Sequence, residues 1–372
     1  MGVDFFPCIV KSSILIQEKS KIEIDKNVRI NLNLLIRLYL KKSIIIHHTK
    51  IKKLFAMKIK IFTPFLILTI FYTLLSGCIS NTSKIKEGYV NVKGGKVWYR
   101  INGTGNKPAL LLLHGGPGSS SFGLENLKEL SNDRPIIFID QLGCGRSSRI
   151  TDTSLMTIEN YVEQIEEIRK ALHLENFYLY GHSWGTMLGI DYYLKYPQHI
   201  KSIIFSSPLF STKMWTEDAD TLIASLPDSI QSNIRINEKN KTYDNPAYQN
   251  AVTLYYKNFL RRTERTKGQA DTARLFSGTN VYEFMWGPSE FTATGNLLNY
   301  DRLAFLPNIK VPTLLIAGEF DEARPSTIQR FQSMIPGAEF KMIKNAGHAT
   351  MIDNKEDYLA TLKSFLDKVD QF

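Results

Sequence analysis

Cysteine is scarce: three residues in a chain of 372, at Cys8, Cys78 and Cys144. Their spacing fits no metal-ligand pattern and supports no disulfide framework, so neither a thiolate metal centre nor a cross-linked scaffold is expected. An excess of positive charge is also missing where a fold would use it. The formal net charge is +10, but 13 of the 46 Lys and Arg and only 4 of the 36 Asp and Glu fall in residues 1–77, leaving 33 against 32 for residues 78–372. A nearly neutral body has no electrostatic footprint for nucleic acid, and none is expected as a partner. Internal repeats and low-complexity tracts are absent too. What remains, 43% hydrophobic and 22% charged, is the composition of a globular protein.

Residues 1–56 also lack punctuation, with no Gly after Gly2 and no Pro after Pro7. From Met57 the chain reads Met-Lys-Ile-Lys, then the apolar stretch Ile61 to Leu75, then Leu75-Ser76-Gly77-Cys78. A basic start, a short apolar core and small residues before a cleavage point make a secretory signal too short to span a membrane comfortably. Ending on Leu-Ser-Gly-Cys, it resembles a bacterial lipoprotein signal. That resemblance implies lipidation of Cys78 and a chain tethered outside the cytoplasm, at the bacterial cell envelope; a plain secretory signal with an incidental cysteine is the alternative. Because a signal works at an N-terminus, residues 1–56 are expected to be an upstream extension, 57–77 the signal peptide and 78–87 a tether.

The rest of the chain is organised around Tyr180-Gly181-His182-Ser183-Trp184-Gly185. An apolar strand pattern runs into this G-x-S-x-G turn, and a helical pattern follows until Pro197. A serine there is forced into a strained turn that lifts its hydroxyl clear of a sheet, the arrangement of a nucleophile elbow. Upstream, Tyr89–Val92 and Val97–Ile101 flank a Gly-Gly turn as a hairpin. Ala109–Leu113 is a buried strand that ends in His114-Gly115-Gly116-Pro117-Gly118, a loop able to aim backbone N–H groups at a developing oxyanion. Pro135–Ile139 and Ile200–Phe205 read as further strands, with an amphipathic helix over 157–172. Asp140 reads as a turn-former.

Alternating strands and helices predict a mostly parallel α/β sheet with its chemistry at the strands' carboxyl ends. After Pro208 about a hundred residues lose the strand pattern and gain helical patches, so 208–307 is expected to be a helical cap inserted into a core of 88–207 and 308–372. Strands resume at Thr313–Ala317 and Phe340–Ile343, and a closing helix runs from Glu356 to Val369. In an α/β-hydrolase fold the catalytic order is Ser, then Asp or Glu, then His. Only His199 and His348 follow Ser183. His199 reads as a surface residue, which leaves His348 as base. Asp321 fits the acid, with Glu319 on the same loop as competitor. The N–H groups of Gly116 and Trp184 would hold the oxyanion. No metal or cofactor is expected.

His-Gly-Gly-Pro-Gly, Gly-His-Ser-Trp-Gly and Met285-Trp286-Gly287-Pro288-Ser289-Glu290-Phe291 together resemble the prolyl aminopeptidase (proline iminopeptidase) family of α/β-hydrolases, over roughly residues 88–368. The resemblance implies a serine exopeptidase that releases an N-terminal residue, often proline, from short peptides with a free N-terminus. It also implies that Glu290 and Glu322 hold the substrate ammonium. Thr186 departs from the pattern, since many relatives carry a second glycine after Ser-Trp-Gly, and this should alter packing more than chemistry. Tyr282, Phe284 and Trp286 are candidates for lining the pocket or for the core. A carboxylesterase or lactonase on the same scaffold is the competing enzyme, and a noncatalytic lipid-anchored binding protein the competing class.

Overall fold

The computed structural model describes residues 86–371 and the isolated positions 37 and 41. The upstream extension, the signal peptide, Cys78 and all but the end of the tether lie outside the described residues. Among the described residues no helix is long and apolar enough to cross a membrane.

Eight strands form one sheet: β1 (Lys86–Val92), β2 (Gly95–Asn102), β3 (Ala109–Leu113), β4 (Ile136–Asp140), β5 (Phe177–His182), β6 (Ile200–Ser206), β7 (Thr313–Gly318) and β8 (Glu339–Ile343), in the order β1-β2-β4-β3-β5-β6-β7-β8. The β1–β2 and β2–β4 pairs are antiparallel and the other five parallel. This is the α/β-hydrolase fold. Successive side chains of β3 serve opposite cores. Leu111 and Leu113 join the layer containing Tyr161, Ile165, Met187, Leu188, Ile328 and Phe331. Leu110 and Leu112 join the layer of Leu124, Leu127, Tyr358, Leu362 and Phe365. Burial on both faces explains why β3 reads as an unbroken apolar run.

The first layer is covered by α1 (Ile158–Ala171), whose N-cap Thr157 accepts from Asn160 N, by α2 (Trp184–Lys195), and later by α8 (Pro325–Met334). Between β6 and β7 the chain leaves the sheet for α3 (Thr212–Ile223), α4 (Asp228–Asn240), α5 (Pro246–Tyr255), α6 (Lys267–Phe276) and α7 (Thr279–Met285). These helices have a small core of their own, with Ile234, Tyr248, Ala251 and Tyr255 at its centre. The last turn of α5 widens into a π-turn over Tyr256–Leu260.

A short helix α9 (Thr350–Asp353) and the long α10 (Lys355–Val369) close the opposite layer. From α10, Tyr358 Oη donates to Ser206 Oγ at 2.8 Å and lies 2.6 Å from Tyr180 Oη, fastening the ends of β5 and β6 beneath the site. The helix is held at its far end by Asp370. That carboxylate accepts from both terminal guanidinium nitrogens of the buried Arg134, from the Tyr178 hydroxyl at 3.0 Å and from Lys107 Nζ at 3.0 Å. Removing one member of a buried ion pair leaves the other charge desolvated and unmatched. Asp370→Ala should therefore cost about 3 kcal/mol or more in urea unfolding, with the loss tracing to Arg134.

Candidate active site

The elements deliver their side chains to one end of the sheet. Ser183 follows β5, the glycine loop follows β3, Asp321 follows β7 and His348 follows β8, the carboxyl ends of four parallel strands. Ser183 has φ 53° and ψ −123°, a left-handed conformation that non-glycine residues avoid. Gly185 permits the turn to pack, because a Cβ there would lie 2.2 Å from the Leu113 carbonyl oxygen. That approach brings the end of β3, and with it Gly116 (φ +119°), beside the elbow. Gly116, Trp184 and Ser183 all line one small recess.

Asp321 is buried and its carboxylate is saturated. Oδ1 accepts from His348 Nδ1 and from Ala323 N, both at 2.8 Å, and Oδ2 accepts from Ser207 Oγ at 2.6 Å and Gly318 N at 3.1 Å. The His348 ring is buried, stacks edge-on against Trp215 with centroids 5.5 Å apart, and leaves Nε2 with no hydrogen-bond partner. Ser183, His348 and Glu290 share the walls of a cavity of about 450 Å³. A saturated acid behind a fixed imidazole with a free nitrogen, facing a strained serine, can perform nucleophilic acyl transfer.

Glu319, the competing acid, is exposed and accepts from Asn345 N. His199 is a partly exposed residue just before β6, with Nδ1 3.1 Å from the Glu175 carbonyl oxygen, and it takes no part in the site. Tyr282 lines the cavity, Trp286 walls the recess beside Ser183, and Phe284 is exposed, away from both.

Glu322 adjoins Asp321 in sequence yet is its opposite in chemistry. It is 1% exposed, neither carboxylate oxygen has a partner, and Oε1 lies 3.9 Å from His348 Nδ1. Burial, and then the nearby charges of Glu290 and Asp321, push its pKa well above the usual carboxylate range. Glu290 is half-buried at the cavity wall, its backbone fixed by Trp215 Nε1 and the Tyr256 hydroxyl. Burial raises its pKa too, with the His348 imidazole in partial opposition. The buried hydroxyl of Tyr255 is also unpartnered, and that of Tyr282 lies beside the Glu290 carboxylate. Glu322 is thus a buried carboxyl with no hydrogen-bond partner of its own.

Several supporting groups carry no sequence signature. Ser207, itself left-handed at φ 49°, holds Asp321. Asp140 does more than shape a turn: its buried carboxylate accepts from Ser121 N and Oγ and from Arg146 N, fixing the segment beyond the glycine loop. His182, with a pKa pushed down to about 3 by burial and by His348, packs on the His348 ring and contacts its carbonyl at 3.0 Å. Thr186 Oγ donates to the Ser183 carbonyl at 2.6 Å and accepts from Leu209 N at 3.0 Å, tying the elbow to the start of the helical insertion. From that insertion, the carbonyls of Phe259 and Leu260 accept from His348 N (2.8 Å) and Ala349 N (2.7 Å).

The fold and this constellation define an α/β hydrolase, and the family model for the alpha/beta hydrolase fold matches residues 108–355. Proline iminopeptidase of Heyndrickxia coagulans is 39% identical over 76% of this chain and 99% of its own length. That of Saccharolobus solfataricus is 36% identical over 77% of this chain and 93% of its own. The crystal structure of the Mycobacterium smegmatis proline iminopeptidase matches with a TM-score of 0.71 at 29% identity, covering 77% of this chain and 99% of that one. The chain belongs to the proline iminopeptidase family of α/β hydrolases.

A carboxyl whose pKa is raised on folding contributes stability that is complete below the unfolded value and is lost as pH rises through the folded one. Glu322→Gln removes this dependence. The variant should gain in melting temperature over the native chain as pH goes from about 5 to about 8, by roughly 2 °C or more at the upper end. A difference that stays flat across that range would show that Glu322 is not held proton-loving by the fold.

Proposed function

We propose that the protein is a serine aminopeptidase that releases an N-terminal residue, proline foremost, from short peptides through an acyl-enzyme on Ser183. The observation that carries this reading is the pair Glu290, on the cavity wall with Ser183 and His348, and Glu322, a buried carboxyl without a partner 3.9 Å from His348 Nδ1. A substrate ammonium between them would return both to their charged form. A blocked or internal peptide bond brings no such charge and would leave the pair unmatched. Met187, Leu209, Trp215 and Trp286 give the narrow recess beside Ser183 apolar walls, which favour an apolar first residue over a charged one.

In the proposed reaction Ser183 Oγ attacks the first carbonyl while His348 Nε2 takes its proton. Asp321 holds the Nδ1–H and stabilises the imidazolium, and the N–H groups of Trp184 and Gly116 receive the oxyanion. His348 then protonates the departing amine, and water repeats the sequence on the acyl-enzyme. The carboxylesterase or lactonase alternative uses the same triad but gives the two glutamates no occupant.

Free prolyl anilide should be cleaved, N-blocked prolyl anilide should not, and Glu290→Gln and Glu322→Gln should each lower kcat/KM on the free anilide by about 100-fold. Hydrolysis of an acetate ester should change far less. Equal losses on both substrates would remove the ammonium role.

We further propose that Cys78 carries a lipid that holds the chain at the bacterial cell envelope, a reading supported by the Leu-Ser-Gly-Cys signature. Cys78→Ser should abolish incorporation of labelled palmitate; unchanged labelling would refute the anchor.

A further inference from the structure

The cavity that holds Ser183 and Glu290 has a second end. There its wall is built from the chain just after the π-turn and from α6, and it carries Arg261, Arg265 and Arg274. An adjoining groove, lined by Ser119, Gly123 and Gln269, is bounded by Arg261 and Arg265 again.

Two neighbouring arginines are already engaged. Arg262 stacks on Phe320 with its guanidinium 4.0 Å from the ring centroid and donates to the Asn258 carbonyl. Arg274 pairs with Asp271 at 2.7 Å. Arg261 and Arg265 differ. Among the described residues neither has a carboxylate oxygen within 4.0 Å, and Arg261 spends only its Nε, on the Thr263 carbonyl at 2.9 Å.

Nearby carboxylates are committed elsewhere. Asp353 accepts from the amides of Arg262, Thr263 and Gly347. Glu125, on the groove wall, is held by Arg100 at 2.6 Å and Lys128 at 3.1 Å. Arg261 is half-buried, and burial together with the charge of Arg265 lowers its pKa despite Asp353. Arg261, half-buried, and Arg265, exposed, share the walls of the cavity and the groove without a carboxylate partner, and two such guanidiniums can together take a carboxylate.

The geometry points to Arg261 and Arg265 as a carboxylate-binding site on the leaving-group side of the scissile bond, taking a carboxylate of the peptide that departs. The inference rests on the aminopeptidase reading, because it orients the substrate with its ammonium at Glu290 and Glu322. The cavity then has acid at one end and base at the other, the charge pattern of a short zwitterionic peptide. Such a peptide is bound at both ends, whereas a long chain or a C-terminal amide is bound at one. The carboxylate can be the peptide's C-terminus or an acidic side chain beyond the scissile bond, and both present the same planar pair of oxygens.

The test compares Pro-Gly-Gly, its C-terminal amide and Pro-Asp-Gly amide as substrates for the native full-length protein, for the double variant Arg261→Gln/Arg265→Gln and for the double Arg→Lys variant. The native protein should show a KM for Pro-Gly-Gly about tenfold below that of its amide, the loss expected for one charge-assisted hydrogen-bonded contact. The Gln variant should bring that ratio to about 1, and the Lys variant, which keeps charge without the fork, should fall between. If Pro-Asp-Gly amide matches the free acid, a side-chain carboxylate fills the site; if it behaves as the plain amide, the C-terminus does.

A native ratio of about 1 with both carboxylate substrates overturns the site, as does a ratio that survives in a Gln variant whose melting curve is native. Should the Gln variant not fold, the native ratio and the Lys variant decide. Prolyl anilide, which has no carboxylate, separates the two claims: cleavage of the anilide without preference for the acid refutes the arginine site alone, and no cleavage of any prolyl substrate refutes the aminopeptidase reading.

Discussion

The backbone of Ser183 is the constraint on which the rest of the site depends. A left-handed serine costs roughly 1–2 kcal/mol and persists only where its surroundings hold it. Here both of its peptide groups are clamped. Its N–H donates to the Ser206 carbonyl at 3.0 Å, and its carbonyl accepts from both the amide (2.7 Å) and the hydroxyl (2.6 Å) of Thr186. The clamp reaches outward on each side: Ser206 is fastened to α10 through Tyr358, and Thr186 receives Leu209 N as the chain departs for the helices. The strained turn is therefore braced from both layers of the sheet.

Asp321 and Glu322 show how far environment decides chemistry. Adjacent on one loop and equally buried, one carboxylate has four hydrogen-bond donors and the other none. The first is stabilised as an anion and orients the imidazole; the second is kept unsatisfied. An unsatisfied buried carboxyl weakens the fold, and proteins retain such groups where a ligand supplies the missing partner.

The strands and the Ser, Asp, His order were legible because each rests on local pattern. Continuous apolar runs mark strands buried on both faces, and a turn closed by Gly181 and Gly185 marks the elbow. Ser207 was not legible, since its contact with Asp321 spans 114 positions and a serine before a proline looks like any turn. Nor was the contact of His199 with the Glu175 carbonyl, 24 positions away. Phe284 points outward because α7 is only seven residues long and buries Val281 and Met285 instead. Arg261 and Arg265 were invisible for a different reason: their character lies in lacking a partner, and a sequence does not state which charges go unpaired.

The bonds from His348 N and Ala349 N to the Phe259 and Leu260 carbonyls join the roof of the cavity to the loop bearing the imidazole. Roof and imidazole loop are therefore coupled through the main chain. A roof that lifted to admit a bulky chain would drag His348 away from Asp321 and Ser183, so the open form would be disarmed. Only chains small enough to enter without lifting the roof would meet an intact triad.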